Sequence, residues 1–108
     1  MDEFAALADP TRRQIIEKLA KQGRLSATEI AVQFSVTPQA ISQHLKILRE
    51  ANWVRMEKQA QQRMYQINPG AVHKLEEWTR QLAQLWEERF DALTELLEEE
   101  KRKAEKSE

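Results

Sequence analysis

Apolar positions in the first half of the chain recur at helical spacing and are interrupted by recognisable start and stop signals. Phe4 and Leu7, with small alanines between them, predict a short N-terminal helix. Asp9-Pro10 closes it and opens the next, because Asp caps a helix and Pro has no amide hydrogen to leave unpaired in the first turn. Ile15, Ile16, Leu19 and Ala20 then repeat on one face, and Gly23 stands where a left-handed residue ends a helix, so a second helix is predicted over 10–22. Ser26-Ala27-Thr28-Glu29 has capping-box spacing and opens a third helix over 27–34, in which Ile30 and Phe34 share a face. Ser35-Val36 leaves room only for a tight turn. Thr37 as cap and Pro38 at the first position then open a fourth helix that reaches about residue 51.

After Asn52 the period changes from helical to alternating. Trp53-Val54-Arg55-Met56-Glu57 and Arg63-Met64-Tyr65-Gln66-Ile67 place larger apolar residues at every second position around a polar stretch, residues 58–62, which predicts a β-hairpin. Asn68-Pro69 repeats the cap-plus-proline start. From Ala71 to about Lys103 there is neither glycine nor proline, so one long helix is predicted, with residues 98–108, almost all charged, fraying at its end.

Two helices joined by about three residues form a helix-turn-helix, and a hairpin directly after it is the wing of a winged helix. The expected fold is therefore mainly α (α+β): about five helices, one β-hairpin wing and a long C-terminal helix. It is expected as a single domain over 1–108, with the second helix of the motif at about 38–51, the wing at about 53–67 and the last helix at about 69–103.

The fourth helix is amphipathic in an informative way. At about 100° per residue, Ile41, Leu45 and Leu48 cluster on one side, Gln39, Gln43 and Lys46 lie opposite, and Ser42 lies at the flank. Amides pair bidentately with adenine edges, a hydroxyl pairs with either partner, and a cation suits phosphate or guanine. An isolated helix with such a face is simply solvated; one placed after a turn and before a wing is expected to read DNA. Thr37 and His44 join this set, His44 at the boundary between core and solvent, where packing competes with phosphate contact. Arg55, Lys58 and Arg63 flank or occupy the hairpin, and Lys46, Arg55 and Arg63 are expected to hold phosphates.

In the last helix Leu75, Trp78, Leu82, Leu85, Trp86, Phe90, Leu93 and Leu97 form one broad apolar stripe, with Arg80, Glu87, Glu88 and Asp91 away from it. Leu75 and Trp78 can serve an intrachain core, and a cofactor box built from Trp78 and Trp86 is less favoured than packing. The remainder exceeds what so small a domain can cover by itself and predicts a two-fold homodimer through Leu82, Leu85, Trp86, Phe90, Leu93 and Leu97, with Phe4 from the first helix. Two recognition helices spaced about one DNA turn apart would read a pseudo-palindromic duplex.

Charge changes this picture only once its distribution is considered. The net charge of -1 argues against a polyanionic partner, but between Pro10 and Tyr65 ten Lys/Arg face four Glu, whereas the first nine residues and the segment after Tyr65 are acidic. The absence of cysteine removes disulfides and thiolate metal sites, and two histidines leave little to build another, so neither metal nor cofactor is expected. Nothing resembles a phosphate loop or catalytic cluster, so an enzyme is not expected. With an acidic start and no long apolar run, a cytoplasmic chain without membrane contact is expected. A membrane-surface helix is disfavoured by the acidic polar face of residues 75–97. The competing reading is a winged helix that binds protein instead of DNA, motivated by the acidic total and the stripe.

Ala6-Leu7-Ala8-Asp9-Pro10-Thr11-Arg12-Arg13-Gln14-Ile15 resembles the second-helix opening of the arsenical-resistance (ArsR/SmtB-type) repressors, and the stretch from Pro38-Gln39-Ala40-Ile41-Ser42-Gln43-His44-Leu45 to Ala51 resembles their recognition helix. Glu77-Trp78 and Leu85-Trp86-Glu87-Glu88-Arg89-Phe90-Asp91 look like a branch of autorepressors without metal sites. The resemblance implies a dimer using its first and last helices and repression of its own or a neighbouring promoter. The chain departs from metal-sensing members, which carry paired cysteines in the helix matching 28–34 or His and acidic ligands in the last helix, where this chain has His73 alone. It also has Asn52 for the usual glycine after the recognition helix and Gln59-Ala60-Gln61-Gln62 for the usual Gly-Arg of the wing tip. Any small-molecule effector is left unspecified.

Overall fold

A computed structural model describes residues 2–106. A short 3-10 helix, Ala5–Ala8, is followed by α1 (Pro10–Gln22), β1 (Leu25–Ser26), α2 (Ala27–Ala31), α3 (Pro38–Glu50), β2 (Val54–Gln59), β3 (Gln62–Ile67) and α4 (Pro69–Lys106). These residues form two compact units, one ending at His73 and one beginning at Lys74.

The start signals act as their chemistry dictates. The Asp9 carboxylate accepts the amides of Thr11 at 2.8 Å and Arg12 at 3.2 Å. Partial desolvation pushes its pKa up, but those two hydrogen bonds and the nearby Arg12 guanidinium outweigh it and leave the pKa below its ordinary value. At the other end of α1, Gly23 has positive φ as expected, but at φ 84°, ψ -111° it is outside the left-handed helical basin, in a region open essentially to glycine. Its N–H still closes the helix on the Leu19 carbonyl at 2.8 Å.

The helix predicted over 27–34 stops at Ala31. Its capping box is complete: Ser26 Oγ accepts the Glu29 amide and Glu29 Oε1 accepts the Ser26 amide, each at 3.0 Å. After Val32 the amides of Gln33 and Phe34 turn to carbonyls only three residues back, Ile30 and Ala31, which tightens the chain out of the α-helix. Phe34 therefore does not extend the face of Ile30; it is half-buried, with the Lys18 ammonium 5.8 Å from its ring centre.

Thr37 Oγ1 accepts the Ala40 amide at 3.1 Å and starts α3, whose Ile41, Leu45 and Leu48 are buried. The helix ends in a Schellman motif. Trp53 N–H donates to the Leu48 carbonyl at 2.9 Å, Asn52 N–H to that of Arg49 at 3.0 Å, and Asn52 takes φ 64°, the left-handed role that its amide side chain tolerates.

The sheet has three antiparallel strands in the order β1-β3-β2. Its third strand was not foreseen: Leu25 pairs with Tyr65 and Ser26 with Met64. The hairpin is longer than its apolar alternation suggested, since pairing runs from Val54–Ile67 to Gln59–Gln62 across a turn of only Ala60 and Gln61. Leu25, Ile30, Ile41, Leu45, Leu48, Trp53, Val54 and Tyr65 join Ile15 and Leu19 in the core, and Ala20 is outside it.

Asn68 Oδ1 accepts the Gly70 amide at 3.2 Å at the start of α4. The helix does not fray from residue 98 but continues to Lys106, as a run of Glu, Lys, Arg and Ala without a breaker favours. Its side chains Trp78, Leu82, Leu85, Trp86, Phe90, Leu93, Leu96 and Leu97 are exposed. No helix of the described residues is long and apolar enough to cross a membrane.

Two stability changes follow from these local geometries. Ala60 holds φ 57°, which costs an L-residue with a Cβ about 1 kcal/mol, so Ala60→Gly raises unfolding stability in urea by about 0.5–1 kcal/mol. Ser26→Ala removes the cap and lowers stability at neutral pH by about 1 kcal/mol. Hydrogen bonds from the Ser26 amide and side chain hold the Glu29 carboxyl below its ordinary pKa. A depressed folded pKa contributes stability above the unfolded value, about 4.3, that is lost as pH falls through the folded one. The gap between wild type and Ser26→Ala therefore narrows in urea titrations below about pH 4.

Candidate nucleic-acid interface

The polar side of α3 faces the hairpin across an open cleft of about 600 Å³. Gln39, Ser42, Gln43, Lys46 and Arg49 line it from α3, and Arg63 and Tyr65 from β3. In the first group, helical spacing puts Gln39, Gln43 and Lys46 opposite buried Ile41, Leu45 and Leu48, with Ser42 and Arg49 at the flank beside the hairpin. Strand alternation explains the second: Val54, Met56 and Lys58 share one face of β2, and their partners Ile67, Tyr65 and Arg63 share the same face of β3. Tyr65 is buried at the base of this face and Arg63 is exposed nearer the tip.

The cleft's chemistry is one-sided. Three cations, two carboxamides, the hydroxyl of Ser42 and the phenol of Tyr65 line it, and no carboxylate does. At the tip, Lys58 stands directly across from Arg63, a like-charge cross-strand pair that an isolated hairpin disfavours.

Of the residues anticipated from sequence, Gln39, Ser42, Gln43, Lys46 and Arg63 converge here. Thr37 is exposed at the entrance to α3 with its oxygen committed to the Ala40 amide. His44 is turned toward α1: its Nδ1 is 3.3 Å from Arg12 Nη1, and because a guanidinium only donates, Nδ1 accepts and the ring proton sits on Nε2. The same Arg12 donates from Nε to the Ala6 carbonyl at 2.6 Å. Arg55 does not join the cleft. It is on the opposite face of the sheet, beside Arg24 and Glu57, which are paired at 3.0 Å. Arg49 and Tyr65 were not anticipated; Arg49 follows Lys46 by three positions and Ser42 by seven, a helical continuation of the polar side that was readable from spacing.

For the expected dimer residues, Leu82, Leu85, Trp86, Phe90, Leu93 and Leu97 are between 52% and 67% exposed, and Leu96 adds a further exposed leucine. Phe4 is half-buried. Among the described residues no three His, Cys, Asp or Glu side chains come together in a group suited to a metal ion.

Residues 9–55, which hold α1, α2, α3 and the start of β2, match the family model of bacterial regulatory proteins of the arsR family. The chain is 40% identical over 84 residues to an HTH-type transcriptional regulator of Mycobacterium tuberculosis, covering 73% of this chain and 78% of that protein. It is 35% identical over 75 residues to the transcriptional repressor SdpR of Bacillus subtilis, covering 69% and 82%. Among solved structures, an ArsR-like transcriptional regulator from Rhodococcus sp. RHA1 superposes with a TM-score of 0.76 at 28% identity, covering 86% of this chain and 87% of that one. A homodimeric winged helix-turn-helix DNA-binding domain from Mycobacterium bovis gives 0.61 at 26% identity, covering 76% and 75%.

The like-charge pair at the hairpin tip makes a prediction independent of any ligand. Arg63→Gln relieves repulsion from Lys58, so at low salt the thermal midpoint rises by the equivalent of a few tenths of a kcal/mol, and added salt erases the difference.

Proposed function

Because the chain belongs to the arsR family of bacterial regulatory proteins, we propose that it is a homodimeric, sequence-specific DNA-binding repressor acting on its own or a neighbouring promoter, without the metal ligands of the family's sensors. The observation that carries this reading is the cleft between α3 and the hairpin, where amides and hydroxyls stand among three cations with no carboxylate. In this reading α3 enters the major groove. Gln39, Ser42 and Gln43 meet base edges, and Lys46, Arg49 and Arg63 neutralise phosphates. Lys58 joins Arg63 on the adjacent backbone, and the anion between them removes the repulsion that the free hairpin carries. Arg55 takes no part, Thr37 shapes the helix start, and His44 positions α3 through Arg12.

The exposed face of α4 supports the dimer. Trp86 is 67% exposed and Phe90 61% exposed, and aromatic and leucine side chains continuous over several turns are covered most economically by a second copy around a two-fold axis. Such a dimer presents two copies of α3 to half-sites about one helical turn apart. A winged helix that binds only protein leaves the acid-free cleft without a purpose.

The deciding experiment is a mobility-shift and footprint assay of the purified chain on its own upstream DNA across a salt series. A protected pseudo-palindrome with steep salt dependence is expected; no binding at low salt would overturn the proposal. Gln43→Ala weakens specific binding by about 1–3 kcal/mol and leaves binding to random duplex unchanged. Arg63→Gln weakens both alike and lowers the salt slope by about one. Trp86→Asp converts the particle seen in sedimentation from a dimer to a monomer of 12.7 kDa.

A further inference from the structure

A second groove, of about 460 Å³, lies beside the cleft. It is lined by Thr28 of α2, by Val32 just after that helix, and by Val36, Pro38 and Ser42. No charged side chain lines it. Val32 is 77% exposed and Val36 40% exposed, so the turn of the helix-turn-helix presents two branched aliphatic side chains to solvent.

The groove is continuous with the cleft, because Ala27, Pro38 and Ser42 line both. It also sits at the N-terminal entrance of α3, the part of a recognition helix that reaches base edges. The groove offers a phosphate no cation, only the hydroxyls of Thr28 and Ser42, while the valines and Pro38 give it an apolar floor. In the major groove each base pair offers hydrogen-bonding atoms, and the one apolar group among them is the C5-methyl of thymine. We infer that Val36, flanked by Pro38 and Val32, receives a thymine C5-methyl, so that the turn before α3 selects thymine while the amides of α3 read the neighbouring bases. The inference rests on the DNA-binding reading and adds to it a specificity residue outside the helix.

The test uses duplexes selected by the full chain from a randomised pool, with each thymine then replaced singly by deoxyuridine, which lacks only the methyl. At one thymine per half-site the replacement weakens binding about fourfold, the change that burial of one methyl group corresponds to. Val36→Ala binds the thymine and deoxyuridine duplexes with equal affinity at that position. The inference is overturned if the replacement costs nothing at any thymine, or if the penalty is undiminished in Val36→Ala. Selection of no duplex at all defeats the DNA-binding reading itself, a failure distinguishable from the other two because it precedes any substitution of the DNA.

Discussion

The geometry of the cleft depends on how the chain leaves α3, and that exit is fixed by Trp53. Asn52 in the left-handed region turns the backbone, and Trp53, 2% exposed, drops into the core as its amide closes the helix on the Leu48 carbonyl. The indole Nε1–H reaches the Glu3 carbonyl at 2.6 Å, and the Trp53 carbonyl accepts the Asn68 amide at 2.9 Å. One residue thereby joins the end of α3, the N-terminal segment, the root of the hairpin and the start of α4. Truncating a buried Trp costs about 3–5 kcal/mol, a large part of the stability of a domain this small. The angle between α3 and the hairpin, and with it the shape of the cleft, follows from this closure.

Electrostatics are organised on the same scale. The net charge of -1 says little, because a partner within a Debye length responds to nearby charges and not to the total. Around the cleft the backbone collects Lys46, Arg49 and Arg63 and keeps carboxylates out, while Glu57, on the opposite sheet face, is engaged by Arg24. The alternation of strand faces puts Lys58 and Arg63 on one side and Arg55 with Glu57 on the other, so the only hairpin carboxylate is kept off the cleft face.

Much of this was legible in the sequence wherever the signal is local. Asp9-Pro10, Thr37-Pro38 and Asn68-Pro69 begin helices by chemistry contained within four residues, and the capping box of Ser26 and Glu29 forms as its spacing requires. What was not legible depends on distant partners. A two-residue strand has no period, and Leu25–Ser26 becomes one only because β3 lies beside it. The outer hairpin pairs residues that are polar on both faces, so the alternation that marks a half-buried strand is missing there. No glycine or proline ends α2, and its early stop at Ala31 carries no sequence mark. Arg55 and Arg63 are equally basic in sequence; only the register separates their faces.

The side of α3 away from the cleft is also tied to the N-terminal segment. His44 accepts from Arg12, and Arg12 donates to the Ala6 carbonyl, so a three-member link runs from mid-α3 through α1 to the 3-10 helix. Trp53 makes a second link, from the end of α3 to Glu3. Two attachments at different points along a helix restrain its rotation as well as its position, which a single contact cannot do. The orientation of Gln39, Gln43 and Lys46 therefore depends on residues three to six of the chain, although none of those residues lines the cleft. The cleft is built from α3 and β3, but its aim is set from the N-terminus.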